Sequence, residues 1–283
     1  MEQPIQQAII SNMGNYIAFS HTQGISVYEI NQYQNAVYNY EDLAYNIQAL
    51  SFSQNDDFLY FCNENTFEIS DFLTQNQNNI ISGPSPAVCK YIISSKLEDF
   101  ILVYYLQAGL YQYDLQGNEI KQITSYSEQS FRINQNYDGS LIYYLYNNTQ
   151  TGNELSYIVS FLDENLNQVK ELQLEYFCFS MDLSYDNEYF ICQQQYYLMI
   201  YDFKTLQLYN ILKTKNNYLS TFMYMTHQIA TNNNYKIEIY NFELNTVIFD
   251  EVLLYNFTNV SSIQSYEKFL LYSGGGDNIT NNS

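Results

Sequence analysis

Tryptophan is absent from this chain, proline occurs three times and glycine ten times in 283 residues. That scarcity excludes a collagen-like repeat and a Pro/Gly-rich linker protein. Basic residues are also few, 10 Lys and Arg against 30 Asp and Glu, for a formal net charge of −20. Their densest cluster is Lys204, Lys213 and Lys215. Phosphate backbones need clustered cations, so no nucleic-acid partner is expected, and an anionic membrane surface is disfavoured for the same reason. No apolar run approaches the ~18 residues of a transmembrane helix, so no membrane insertion is expected. The start, MEQPIQQAII, lacks the basic and apolar regions of a signal peptide. Charged residues make up only 14% while apolar residues make up 46%, which excludes charge-driven disorder.

What is abundant is aromatic: 32 Tyr and 18 Phe. Asn and Gln are abundant too, but apolar periodicity persists throughout and low-complexity tracts lack it. An AT-rich coding sequence accounts for the bias. Asn-x-Ser/Thr sequons begin at Asn147, Asn256, Asn259, Asn278 and Asn281. In so Asn-rich a chain about this many arise by chance, so they do not argue for secretion. The four cysteines, Cys62, Cys89, Cys178 and Cys192, show no CxxC spacing and lie in apolar, strand-like segments. They are expected to be free, buried thiols. A reducing compartment, the cytoplasm, follows from that expectation.

The main signal is internal repetition. SNMGNYIAFSHTQGISVYEI (11–30), SFSQNDDFLYFCNENTFEISDF (51–72), NQNYDGSLIYYLYNN (134–148) and LSYDNEYFICQQQYYLMIYDF (183–203) each read strand, polar turn, strand, short turn, strand. The first polar turn recurs near Gly14, Asp56, Glu98, Asp138, Asp186, His227 and Glu267, at spacings of 42, 42, 40, 48, 41 and 40. This is the period of a four-stranded propeller blade. A second landmark closes the third strand: Tyr28-Glu29, Ser70-Asp71, Tyr113-Asp114, Leu162-Asp163, Tyr201-Asp202 and Tyr240-Asn241. The one long spacing is absorbed in the loop 147–154, where insertion costs little. Strand-length aromatic and β-branched runs lie between turn residues, and no amphipathic segment of helical period exceeds two turns.

The expected fold is therefore all-β: a β-propeller of about seven four-stranded blades, each with strands a, b, c and d. It forms a single domain over 1–283, with blades at 7–40, 47–83, 87–126, 130–175, 177–214 and 218–254. A partial blade, 259–283, stops after strand b. An open edge is expected beside Leu270 to Ser273. Either the chain is a piece of a longer product, or six blades close and a hairpin is appended.

The pattern apolar-x-Phe-Ser-x-x-Asp, then an apolar strand, then a strand ending aromatic-Asp, resembles the WD40-repeat β-propeller family. SFSQNDDFLYFCNENTFEISD and YSGGGDNIT carry the resemblance most closely. Tyr stands where that family has Trp, and its Gly-His pair before strand a is missing. The resemblance implies a rigid, non-catalytic scaffold for protein or peptide partners, often inside multi-subunit assemblies.

Catalytic constellations are not expected, nor is any cofactor. His21 falls in a b–c turn and His227 in an a–b turn, which open on opposite faces of a propeller. Both read as surface histidines, and no metal site is expected of them. The adjacent carboxylates Asp56-Asp57, Glu98-Asp99 and Asp163-Glu164 sit in turns, where Asp bonds nearby backbone. Strand-a residues Lys90, Arg132 and Asp182 are expected to line a central channel. Tyr45, Tyr126, Tyr176, Tyr218 and Tyr255 fall in d–a connections and are the expected partner-binding residues. Two alternatives stay open: a lactonase- or hydrolase-type propeller enzyme with a channel metal near Asp182, and the propeller portion of a larger kinase, trafficking or ciliary protein.

Overall fold

The computed structural model describes residues 5–32, 34–41, 47–75, 79–97, 100–123, 132–148, 156–214, 219–223, 226–233, 236–243, 246–252, 257–266 and 269–276. Every regular element among them is a β-strand. Sheet one holds β1 (Ile5–Ile10), β2 (Tyr16–His21), β3 (Gly24–Glu29) and β4 (Ala36–Glu41). Sheet two holds β5 (Ile47–Phe52), β6 (Leu59–Asn63), β7 (Thr66–Ser70) and β8 (Asn79–Ser82). Sheet three holds β9 (Val88–Ser94), β10 (Ile101–Leu106), β11 (Gly109–Tyr113) and β12 (Glu119–Gln122). Sheet four holds β13 (Arg132–Gln135), β14 (Leu141–Asn148), β15 (Ser156–Asp163) and β16 (Gln168–Leu174). Sheet five holds β17 (Ser180–Leu183), β18 (Tyr189–Gln193), β19 (Tyr197–Asp202) and β20 (Leu208–Lys213). Sheet six holds β21 (Ser220–Phe222), β22 (Gln228–Asn233), β23 (Lys236–Asn241) and β24 (Thr246–Val252). The last sheet is a hairpin, β25 (Phe257–Tyr266) and β26 (Phe269–Gly276). Each four-stranded sheet is a meander, its strands adjacent in chain order.

Two turns recur and explain both sequence landmarks. In the first, between the first and second strands, a Ser or Asn at position i closes a loop whose residue i+3 has positive φ. Its side-chain oxygen accepts the main-chain N–H of residue i+5. The sets are Ser11/Gly14/Tyr16, Ser53/Asp56/Phe58, Asn136/Gly139/Leu141 and Ser184/Asn187/Tyr189, with side-chain to amide distances of 2.9–3.0 Å and φ of 57–78°. Gly, Asp and Asn are the residues that tolerate that φ best. In the second, an Asp at the end of the third strand accepts main-chain amides of the turn that follows. Asp71 takes Thr74 N, Asp114 takes Gln116 N and Asn118 N, Asp163 takes Asn165 N and Asn167 N, and Asp202 takes Thr205 N.

The chain forms two compact units, Ile9–Phe177 and Met1–Ala8 with Cys178–Ser283. Within the first, neighbouring sheets pack face to face. The second sheet sends Leu59 and Phe61 to one side, against Ala18, Ile25 and Val27 of sheet one. It sends Tyr60 and Cys62 to the other, against Ile101, Val103 and Tyr105 of sheet three. Sheet three turns Leu102 and Tyr104 toward Ile142, Tyr144 and Tyr146 of sheet four. Alternate side chains of one strand thus enter different cores, so a strand buried on both faces reads as a continuous apolar run. In the second unit Ile191, Leu198 and Ile200 of sheet five pack on Phe222, Ile229 and Phe242 at sheet six.

First strands of successive sheets, or the turns that follow them, are stitched by hydrogen bonds. Ser11 Oγ donates to Asp56 Oδ2, Ser94 N to Ser51 Oγ, Gln135 Nε2 to Ser94 O and Ser220 N to Ser180 Oγ, between residues 45, 43, 41 and 40 apart.

The cysteine expectation is corrected. Cys62 pairs with Cys89 and Cys178 with Cys192, each at a Cα–Cα separation of 5.5 Å, and none is free. Cys62 on β6 reaches Cys89 on β9 across the packed faces of sheets two and three. Cys178 lies just before β17, whose partner strand β18 carries Cys192. No helix among the described residues is long and apolar enough to cross a membrane.

Candidate functional site

Of the five tyrosines expected in partner binding, Tyr45, Tyr126, Tyr218 and Tyr255 lie outside the described residues. Tyr176, between β16 and β17, is 59% exposed, and Glu175 beside it raises its phenol above the ordinary value by hydrogen bond and charge. Tyr196 and Tyr197, at the turn between β18 and β19, are exposed as well, at 50% and 45%.

Of the expected channel residues, Lys90 and Asp182 hydrogen-bond to neighbouring parts of the chain. Lys90 on β9 donates to Gln48 Oε1 at 2.8 Å. Arg132 opens β13, half-buried, opposite Leu145. Asp182 Oδ2 accepts Thr221 Oγ1 at 2.7 Å and Phe222 N at 2.9 Å, tying β17 to β21, while Oδ1 accepts Leu183 N at 2.9 Å. A carboxylate so engaged holds two sheets together.

The adjacent carboxylates hold turns. Asp56 is buried, and burial pushes its carboxyl above the ordinary value although Ser11, Met13, Asn12 and Asn15 all pull the other way. Asp163 caps its turn, and the hydrogen bonds from Asn167 and Asn165 hold it below the ordinary value although desolvation opposes them. Glu98 and Asp99 lie outside the described residues.

His21, at the end of β2, faces Ser26 Oγ at 3.1 Å through Nε2, while its Nδ1 accepts Gln23 N at 3.3 Å. An Nδ1 that accepts leaves the proton on Nε2. The ring therefore donates to Ser26, whose own hydroxyl donates to Asn39 Oδ1 at 2.9 Å. The pair cannot run as base and nucleophile. Burial lowers the His21 pKa and disfavours its charged form further.

His227 is engaged by side chains from both neighbouring turns. It sits in the turn between β21 and β22, 30% exposed. Nε2 meets Asp186 Oδ2 at 2.7 Å and Nδ1 meets Glu243 Oε1 at 2.9 Å. The ring packs edge-on to Tyr189, centroids 5.1 Å apart, and tilted against Phe242 at 5.8 Å. Asp186 is fixed in turn by Ser184 Oγ, which donates to Oδ1 at 2.7 Å, and by Glu188 N at 3.1 Å. Glu188 brings a third carboxylate to the same turn. Partial burial would lower the His227 pKa, but hydrogen bonds and charge from Asp186 and Glu243 outweigh it and raise the value. Burial would raise the Asp186 carboxyl, but Ser184, His227 and the Glu188 amide together hold it down. Chemically the group is a histidine clamped between carboxylates, on turns of two adjacent sheets.

One sequence feature pointed there. Asp186 and His227 are the same turn landmark in consecutive repeats, 41 residues apart. Glu243 was hidden, because it lies past the third strand in a turn that carries no landmark Asp. No protein-family model matches the chain, and no curated protein matches it.

Proposed function

We propose that the chain is a β-propeller of WD40-like construction that serves as a non-catalytic platform for protein or peptide partners. The succession of four-stranded meanders supports the architecture. So do the two repeated turns, the face-to-face cores and the hydrogen-bonded first strands.

The observation that carries the function is where tyrosine stays exposed. Most described tyrosines on strands are buried, among them Tyr60, Tyr105 and Tyr143. Tyr176 and Tyr196 are held out in connections between strands, and exposed Tyr197 opens β19 next to Tyr196; an apolar ring with a polar tip at such places suits recognition. The described histidines offer no base aimed at a nucleophile.

Paired cysteines remove the ground on which a cytoplasmic location was expected. Persistent disulfides favour an oxidising compartment.

The test is comparative affinity capture from the native cell, using the wild-type chain, Tyr176→Ala and the double variant Tyr196→Ala/Tyr197→Ala. A partner recovered with wild type and lost with either variant supports the platform. Identical recovery by all three overturns it.

A further inference from the structure

We infer that Asp186, Glu188 and His227 form a binding site for one divalent transition-metal ion of the zinc class, with Glu243 as the group that orients the histidine. The inference rests on geometry within the unit Cys178–Ser283 and is independent of the proposed platform role.

One donor atom from each of the three residues lies within 4.8 Å of the other two. Tetrahedral zinc with bonds of 2.0–2.2 Å holds its ligand atoms about 3.3 Å apart. Asp186 Oδ2 and His227 Nε2, now 2.7 Å apart, separate only slightly to admit an ion. Glu188 is exposed, so rotation of its side chain suffices to bring an oxygen in.

The surroundings are those that metal-bound histidine requires. A ligating imidazole donates its other N–H to a carboxylate, which fixes the tautomer and the ring plane. Glu243 Oε1 stands 2.9 Å from Nδ1 in that role, leaving Nε2 to bind. Tyr189 and Phe242 wedge the ring. The ligating carboxylate is likewise supported, since Asp186 Oδ1 is held by Ser184 while Oδ2 faces His227. Charge agrees: three carboxylates surround one imidazole, and even a protonated ring leaves two negative charges for a dication to neutralise.

The donor set selects the class of ion. Calcium takes six to eight oxygens, whereas one imidazole with two carboxylates suits zinc or cobalt. Competing soft ligands are removed by the pairing of all four cysteines.

The experiment is isothermal titration of the full, chelator-treated chain with ZnCl2, repeated with CoCl2 under visible spectroscopy. Expected is one ion per chain and a cobalt d–d band of four- or five-coordinate intensity. Both should be lost in His227→Ala and kept in His21→Ala, with circular dichroism and thermal midpoint confirming that each variant is folded. Glu243→Gln, which leaves every ligand in place, should weaken binding about 10- to 100-fold. No stoichiometric binding by the wild type overturns the site, as does full retention by His227→Ala. A preference for CaCl2 over ZnCl2 overturns the assigned class of ion.

Discussion

Ser11, Ser53 and Ser184 occupy the same turn position, yet their replacement by alanine should carry different costs. Ser53 Oγ accepts one amide, Phe58 N, and donates to the exposed Asn55. Ser184 Oγ accepts Glu188 N and Tyr189 N and donates to Asp186, but Glu188 N keeps a second acceptor in Asp186 Oδ1. Ser11 Oγ accepts Asn15 N and Tyr16 N and donates at 2.6 Å to Asp56, a carboxylate only 2% exposed. An ordinary hydrogen bond contributes about 1 kcal/mol and one to a buried charge about 1.5–3 kcal/mol. Ser53→Ala should therefore cost about 1 kcal/mol, Ser184→Ala about 1–2 and Ser11→Ala about 3–4. Guanidinium denaturation with unchanged slope reads these values directly. A second reading separates the cause. The folded-state pKa of Asp56 is raised, so its proton favours the native state: that contribution is full below the ordinary carboxylate value and lost as pH rises through the folded one. Ser11→Ala removes a bond that opposes the rise. Its penalty should shrink between neutrality and roughly pH 4.5. Equal costs for the three variants, or a Ser11→Ala penalty that grows on acidification, would refute the reasoning.

Three further outcomes are expected. In chelator-treated protein, His227 has a raised folded-state pKa, so its contribution is complete below the unfolded value near 6.5 and fades as pH rises through the folded one. The melting-temperature gap between wild type and His227→Gln should widen from about pH 8 to about pH 5.5, and a constant gap contradicts the clamp. The four cysteines should resist iodoacetamide without reductant in unfolded protein. Loops of 27 and 14 residues give losses of about 3.5 and 3 kcal/mol for Cys62→Ser/Cys89→Ser and Cys178→Ser/Cys192→Ser by the chain-entropy estimate. Gly24, at φ 141°, opens β3 with the Tyr40 carbonyl where a Cβ would stand. Gly24→Ala should lower stability by about 1–3 kcal/mol, and a neutral result would show that β4 can move aside.

The repeat was legible because its turns are chemical and local. A side-chain oxygen reaching an amide five residues on, and an Asp capping a short turn, leave Ser/Asn, Gly/Asp/Asn and Asp at fixed offsets. The reading slipped by one residue in places: Asp138 and Asp186 stand at i+2 of turns whose positive-φ residues are Gly139 and Asn187. Asp at i+2 bonds back into its turn, as Asp138 does to Ser140, and so imitates the landmark. All-β character was also legible, since continuous runs such as Ile101 to Leu106 are too short for helices and are bounded by turn residues.

Pairing between repeats was not legible, and that is where the Cys62–Cys89 correction falls. Cys62 and Cys89 are 27 residues apart, a spacing with no motif. They meet because Cys62 lies on the face of β6 that enters the core shared with sheet three, where its neighbours Leu59 and Phe61 turn to the opposite core. Parity along a strand shows that two faces exist but not which neighbour each one meets. The same gap hid the histidine cluster. Asp186 and His227 lie in the same turn of two consecutive repeats, and only side-by-side packing of sheets five and six turns that into a 2.7 Å contact. Residues of the same turn in neighbouring repeats are therefore candidates for contact wherever the sheets pack in order. Ser11 with Asp56 satisfies that rule and Lys96 with the carbonyls of Asn136 and Tyr137 does too. The chemistry in this protein accordingly gathers between equivalent turns, where an acid of one repeat meets a hydroxyl, an amide or an imidazole of the next.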